Sequence, residues 1–106
     1  MSQTLEGKIA LVTGGARGIG ANIAQAFAAA GASVLITDIL AAAGEETAAA
    51  IRKAGGKAKF LAHDVRDEQA WESVIAATVH EFGGFDTLVN NAGIEETGIL
   101  SEFELE

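Results

Sequence analysis

Cysteine, proline and tyrosine do not occur in this chain of 106 residues. Without cysteine there is no disulfide framework and no thiolate metal site, and a reducing, cytoplasmic setting is the expected one. No apolar run approaches the roughly 20 residues that cross a bilayer, so no membrane partner is expected. The opening MSQTLEGK is polar and carries no apolar stretch behind a basic start, so no secretion signal is read there. Positive charge is scarce as well. Lys and Arg number 7 against 15 Asp and Glu, a net charge of −8. That balance serves solubility and argues against a protein that tracks nucleic-acid phosphates.

Apolar residues make up 49% of the chain, much of it alanine. This suffices for one modest domain whose helices pack closely through small side chains. Short β-rich runs alternate with longer helical patterns. Lys8–Thr13, Ser33–Asp38, Ala58–His63 and Asp86–Asn90 read as strands, with near-continuous apolar cores in the first, second and fourth. Between them lie three helices. The first, Ile19–Ala30, has Ile19, Ile23, Ala26, Phe27 and Ala30 as its apolar positions. In the second, Ala42–Ala54, the expected face is Ala43, Thr47, Ala50, Ile51 and Ala54. The third follows Asp67 as N-cap, with Ala70, Trp71, Val74, Ile75, Thr78, Val79 and Phe82 at helical spacing. Each helix stops at glycine, at Gly31, Gly55-Gly56 and Gly83-Gly84, where a left-handed C′ residue is cheapest. A β-α-β-α-β-α-β order favours a parallel sheet, helices on both faces and right-handed crossovers.

The first strand runs directly into TGGARGIG, Thr13 to Gly20. Unpaired N–H groups and the helix dipole make such a junction an anion site. Gly14 suits a tight turn, Gly18 the close approach of a pyrophosphate, and Gly20 the packing of helix on strand. A phosphate loop of the NTPase type needs Gly-Lys-Ser/Thr at its end, and here Ala21 and Asn22 follow Gly20. The G-x-G-x-x-G form also fails, because Gly18 and Gly20 are followed by Ile23. The spacing is T-G-x-x-x-G-x-G.

That spacing resembles the cofactor fingerprint of the short-chain dehydrogenase/reductase family. Two further motifs support the resemblance: Asn90-Asn91-Ala92-Gly93 after the fourth strand, and Asp64-Val65 closing the third. Together they cover nearly the whole chain. The resemblance implies an α/β, Rossmann-type doubly wound parallel sheet with strand order 3-2-1-4. Residues 1–106 would then be the N-terminal part of one NAD-binding domain.

The expected cofactor contacts begin with Thr13, Gly14, Arg17, Gly18, Ile19 and Gly20. Asp38 stands 18 residues beyond Gly20 at a strand end, where an acid accepts from the adenosine ribose hydroxyls. Its charge repels a 2′-phosphate and favours NAD over NADP; the other reading is a strand-end aspartate capping the next helix. Arg17 pulls the other way, since it can pair with a 2′-phosphate, although it can equally face solvent or the pyrophosphate. The resemblance also implies that Asp64 bonds the adenine amino group beside the Val65 backbone. It further implies that Asn91-Ala92-Gly93 passes under the ribose, with Ile94 toward the nicotinamide. His63 ends a strand and His80 lies on the outer side of the third helix. Neither has a partner at ligand spacing, so no metal is expected. Trp71 and Phe82 read as packing.

The family transfers hydride with a tyrosine acid/base, a lysine four residues later and an upstream serine, all beyond the Asn-Asn-Ala-Gly segment. This sequence has no tyrosine, and Ser101 precedes the position expected of the serine, so no catalytic residue is assigned. The full-length parent is expected to interconvert a small-molecule secondary alcohol and ketone with NAD, as a homo-oligomer. Four strands alone would leave the fourth as an edge with apolar helix faces uncovered, inviting association. The competing reading is a short, non-catalytic module that binds nucleotide or assembles.

Overall fold

The computed structural model describes residues 5–64 and 66–91. Strands β1 (Ile9–Thr13), β2 (Ser33–Asp38), β3 (Lys57–Ala62) and β4 (Thr87–Asn90) alternate with helices α1 (Gly18–Ala29), α2 (Ala41–Lys53) and α3 (Glu68–Phe82). All pairings are parallel, in the order β3-β2-β1-β4. Every expected element is present, and the strand order is the expected one.

The two central strands are buried along nearly their whole length, which is why they read as continuous apolar runs. β3 is an edge strand and alternates instead, with Lys57 and Lys59 exposed and Ala58 buried. Register divides the sheet into two faces. Val12, Val34, Ile36 and Ala58 pack against Ala24 and Ala28 of α1 and Ala48 and Ile51 of α2. On the other face Leu11 and Leu35 meet Val74 of α3, flanked by Leu61, Trp71 and Phe82.

The helix ends follow local chemistry. Gly31, Gly55 and Gly83 have φ of +107°, +98° and +89°, the left-handed conformation that terminates a helix with least penalty in glycine. Asp67 caps α3, its carboxylate accepting from Gln69 N at 3.1 Å and Ala70 N at 3.3 Å. α2 carries Arg52 and Lys53 in its last turn, complementing the dipole.

Two buried faces differ from expectation. In α1 the buried residues are Gly20, Ala21, Ala24 and Ala28, while Ile19 is 60% exposed. The smallest side chains face the sheet, and Ile23 and Phe27 pack beside them. In α2 the buried residues are Gly44, Ala48 and Ile51, whereas Ala50 and Ala54 are exposed. Gly44 is decisive there, because a Cβ at that position would overlap the Phe60 ring of β3. In α3 the expected stripe holds at Val74 and Thr78, but Ile75 and Val79 are 36% and 44% exposed.

β4 is the edge strand opposite β3. Leu88 pairs in register with Leu11, so it belongs to the α3 face, and it is 46% exposed. Among the described residues one helix covers this face and two cover the other. Removing the α3 cap by Asp67→Ala is expected to lower stability by about 1 kcal/mol, read as an earlier urea midpoint with an unchanged slope.

Candidate functional site

The carboxyl ends of β1, β2 and β4 converge on the glycine loop between β1 and α1. Gly14 and Gly18 have φ of +66° and +64°, so the chain turns here through a conformation that side chains resist. The turn brings α1 down onto β1. A Cβ on Gly20 would overlap the Gly14 carbonyl oxygen and stand 2.6 Å from Asn91 Nδ2. Asn91, fully buried just after β4, donates from Nδ2 to that same Gly14 oxygen at 3.0 Å. The Thr13 hydroxyl turns to β4, 3.1 Å from Asn90 Oδ1 and 3.3 Å from the Val89 carbonyl. The loop floor is therefore tied to β4 at two adjacent residues.

The outer arm of the loop is tied to the second βα unit. Ala16 N donates to Asp38 Oδ2 at 3.1 Å, and the Thr47 hydroxyl of α2 donates to the Ala16 carbonyl at 2.6 Å. Gly15 N donates to Thr37 O at 3.2 Å. A Cβ on Gly15 would lie 2.8 Å from Ile36 Cγ2, which explains the second glycine of the pair. The Asp38 carboxylate also accepts from Leu40 N at 3.1 Å through Oδ1, a local turn just before α2, whose N-cap is Leu40 with no side-chain cap bond.

Arg17, Gly18 and Ile19 form the exposed rim. Arg17 is the N-cap of α1, with no side-chain cap and no acidic residue in the first turn. It makes no ion pair with any described residue. The first N–H groups of α1 thus follow a glycine turn whose Ala16 N–H is held by a carboxylate 22 residues away in sequence. Open amides accept an anion, and an aspartate with two backbone donors keeps lone pairs for hydroxyl groups. The donor set suits a nucleotide with a phosphate and a ribose diol.

The family model described as short chain dehydrogenase matches residues 8–106. The chain belongs to the short-chain dehydrogenase family. Over its whole length it is 46% identical to 2,5-dichloro-2,5-cyclohexadiene-1,4-diol dehydrogenase of Sphingobium indicum, covering 42% of that protein. It is 43% identical to 3-beta-hydroxysteroid dehydrogenase of Comamonas testosteroni, with 97% of this chain and 41% of that one aligned. A solved dehydrogenase/reductase from Sinorhizobium meliloti superposes with a TM-score of 0.81 at 46% identity, over 84% of this chain and 36% of that one. The chain thus spans about two-fifths of the length of the curated relatives it matches.

Against the family fingerprint, Thr13, Gly14, Arg17, Gly18, Ile19, Gly20, Asp38 and Asn91 are gathered at one end of the sheet. Asp64 lies after β3, where Arg66 engages it from Nε at 3.0 Å and Nη2 at 2.9 Å, with a further bond from Arg66 N at 3.0 Å. These bonds hold the Asp64 carboxyl down at about 2. Val65, Ala92, Gly93 and Ile94 lie outside the described residues, as does the tail with Ser101. Sequence reasoning passed over Gly15, Ala16 and Thr47, and only the doubled glycine hinted at the first.

His63, next to Asp64, is 5% exposed and lies edge-on to Trp71, ring centroids 4.7 Å apart at 85°. Among the described residues neither of its ring nitrogens has a partner, and no group of three or more acidic, His or Cys residues is placed to hold a metal. Burial lowers its pKa below the ordinary 6.5, with Asp64 and Asp67 pulling partly the other way. The folded protein therefore favours neutral imidazole. Stability is complete above the unfolded pKa and declines as the pH falls from there toward the lowered folded value. The Asp64 pairing is lost in a separate, more acid window, between 3.8 and about 2. His63→Phe keeps the ring contact and removes the titration. Its denaturation midpoint is expected to fall less than that of the parent between about pH 7 and pH 5, measured by circular dichroism across that range.

Proposed function

We propose that this chain is the dinucleotide-binding part of a dehydrogenase that prefers NAD and interconverts a secondary alcohol and a ketone. The observation that carries the reading is the Asp38 carboxylate, held 3.1 Å from Ala16 N at the rim of the glycine cradle. In that position it accepts from ribose hydroxyls and repels a 2′-phosphate, which Arg17 alone does not offset. The open amides of Gly18, Ile19 and Gly20 receive the pyrophosphate, with Thr13, Gly14 and Asn91 holding the cradle in shape. Asp64 keeps a lone pair for the adenine amino group, with Val65 beside it, and Asn91-Ala92-Gly93 runs beneath the ribose.

The nicotinamide supplies the hydride chemistry; this chain supplies grip, orientation and electrostatics. With no tyrosine in its sequence, the chain is catalytically incomplete by itself. The alcohol or ketone is a small molecule. The relatives named for a cyclic diol and a hydroxysteroid support a hydroxyl on a ring carbon as the reacting group. A cytoplasmic homo-oligomer is the expected setting. The cysteine-free sequence supports it, as do the exposed apolar side chains Ile75, Val79 and Leu88. Among the described residues no helix is long and apolar enough to cross a membrane.

The intact protein that carries this chain is expected to bind NADH more tightly than NADPH by titration calorimetry. Asp38→Asn retains an acceptor for Ala16 N and removes the charge, so it should weaken NADH by roughly tenfold and narrow the difference between the two cofactors. Asp38→Ala should narrow it too and loosen the loop as well. Equal affinities in the unmutated protein would remove the case for Asp38.

A further inference from the structure

Ala16 is held at both of its backbone polar groups by side chains from outside the loop. Its N–H goes to Asp38 at the end of β2, and its carbonyl receives the Thr47 hydroxyl at 2.6 Å. The second bond reaches across 31 residues, from a side chain two turns into α2. In the helix pattern Thr47 counts as an apolar-face residue. In the structure it is half-buried and spends its one hydroxyl proton on the loop.

The geometry has a consequence for the next amide. In a trans peptide the carbonyl and the following N–H point in opposite directions, and the described residues contain no cis bond. With the Ala16 oxygen drawn toward α2, the Arg17 N–H is turned away from it. Arg17 is extended, at φ −158° and ψ 175°, and its N–H has no acceptor among the described residues. Asp38, at the end of β2, holds the same residue at its N–H. An amide without an acceptor, one residue beyond the one that Asp38 holds, is suited to an acceptor oxygen on the adenosine half when Asp38 takes the ribose hydroxyls.

We propose that Thr47 is a positioning residue of the cofactor site: by fixing the Ala16 carbonyl against α2, it aims the Arg17 N–H at an oxygen of the bound dinucleotide. The inference rests on the cofactor reading above. Thr47 itself touches no ligand. Its effect is to remove a carbonyl dipole from the anion's side of the peptide and leave a donor there. Losing the hydroxyl frees the peptide to rotate, which puts the oxygen where the donor had been.

Thr47→Val preserves shape and deletes the bond, and Thr47→Ser restores the hydroxyl. Both are to be made in the intact protein. Two readouts are needed: exchange of the Ala16 amide followed by NMR without cofactor, and NADH affinity by calorimetry. In Thr47→Val, Ala16 should exchange faster and NADH should bind about 3- to 10-fold more weakly, the usual range for one hydrogen bond. In turnover assays KM for NADH should rise with kcat unchanged, and Thr47→Ser should return every value to within about twofold of the parent. Unchanged NADH affinity and exchange in Thr47→Val overturn the inference, as does failure of Thr47→Ser to rescue. If the parent binds neither NADH nor NADPH, the cofactor reading falls, and with it the role assigned to Thr47. The exchange comparison still shows whether the clamp on Ala16 exists.

Discussion

The arrangement at this end of the sheet depends on the absence of one atom. Because Gly20 has no Cβ, the first turn of α1 lies directly on the Gly14 carbonyl, and that carbonyl accepts the buried amide of Asn91. Three segments far apart in sequence meet at one oxygen: the turn after β1, the start of α1 and the end of β4. A buried hydrogen bond of this kind is worth about 1 kcal/mol net, but its loss strands two polar groups at greater cost. Adding a methyl at position 20 would separate all three segments at once. The cradle and the helix N-terminus that opens into it both follow from that contact.

The rim is built differently from the floor. Floor contacts run from Thr13 and Gly14 to Asn90 and Asn91 at the end of β4, the Asn91 bond buried and the Thr13 bond partly so. Rim contacts come from the second βα unit, through Asp38 and Thr47, at the margin of solvent. A ligand acting on the rim would meet side chains that are also holding the loop. Asp38 illustrates the coupling, since its two oxygens already serve Ala16 and Leu40 and still retain capacity for further donors. One carboxylate therefore holds both the glycine loop and the turn into α2, and changing it disturbs both.

Much of this was legible in the chain, and the reason differs by feature. Helix ends were readable because the left-handed positions at Gly31, Gly55 and Gly83 all but demand glycine. The alternation of elements followed from periodicity and the glycine loop from its spacing, while the strand order came with the family resemblance. The buried face of α2 was not readable. Alanine stands at so many of its positions that several stripes satisfy the same periodicity, and the choice is made by the Phe60 ring meeting Gly44. The Thr47 contact was hidden for a similar reason, because the hydroxyl's partner lies 31 residues away. Likewise His63 could be read as a strand end but not as a buried ring lying against Trp71.

The two faces of the sheet carry unequal loads, and the sequence of α3 shows why. α1 and α2 cover one face with alanine and glycine, so both helices fit close to β1, β2 and β3. Among the described residues α3 alone covers the other face, and its apolar stripe is wider than its contact with Leu11 and Leu35 requires. Ile75 and Val79 continue that stripe into solvent, and Leu88 on β4 lies exposed on the same side of the sheet. A solvated surface helix has little use for such residues at helical spacing. A strand as apolar as β4 is normally covered on both faces in a parallel sheet. Together Ile75, Val79 and Leu88 leave an exposed apolar patch on the α3 side of the sheet. It adjoins the strand whose carboxyl end, through Asn90 and Asn91, holds the cradle in place. The same strand therefore carries an exposed leucine on one face and, at its carboxyl end, the bonds that fix the cradle floor.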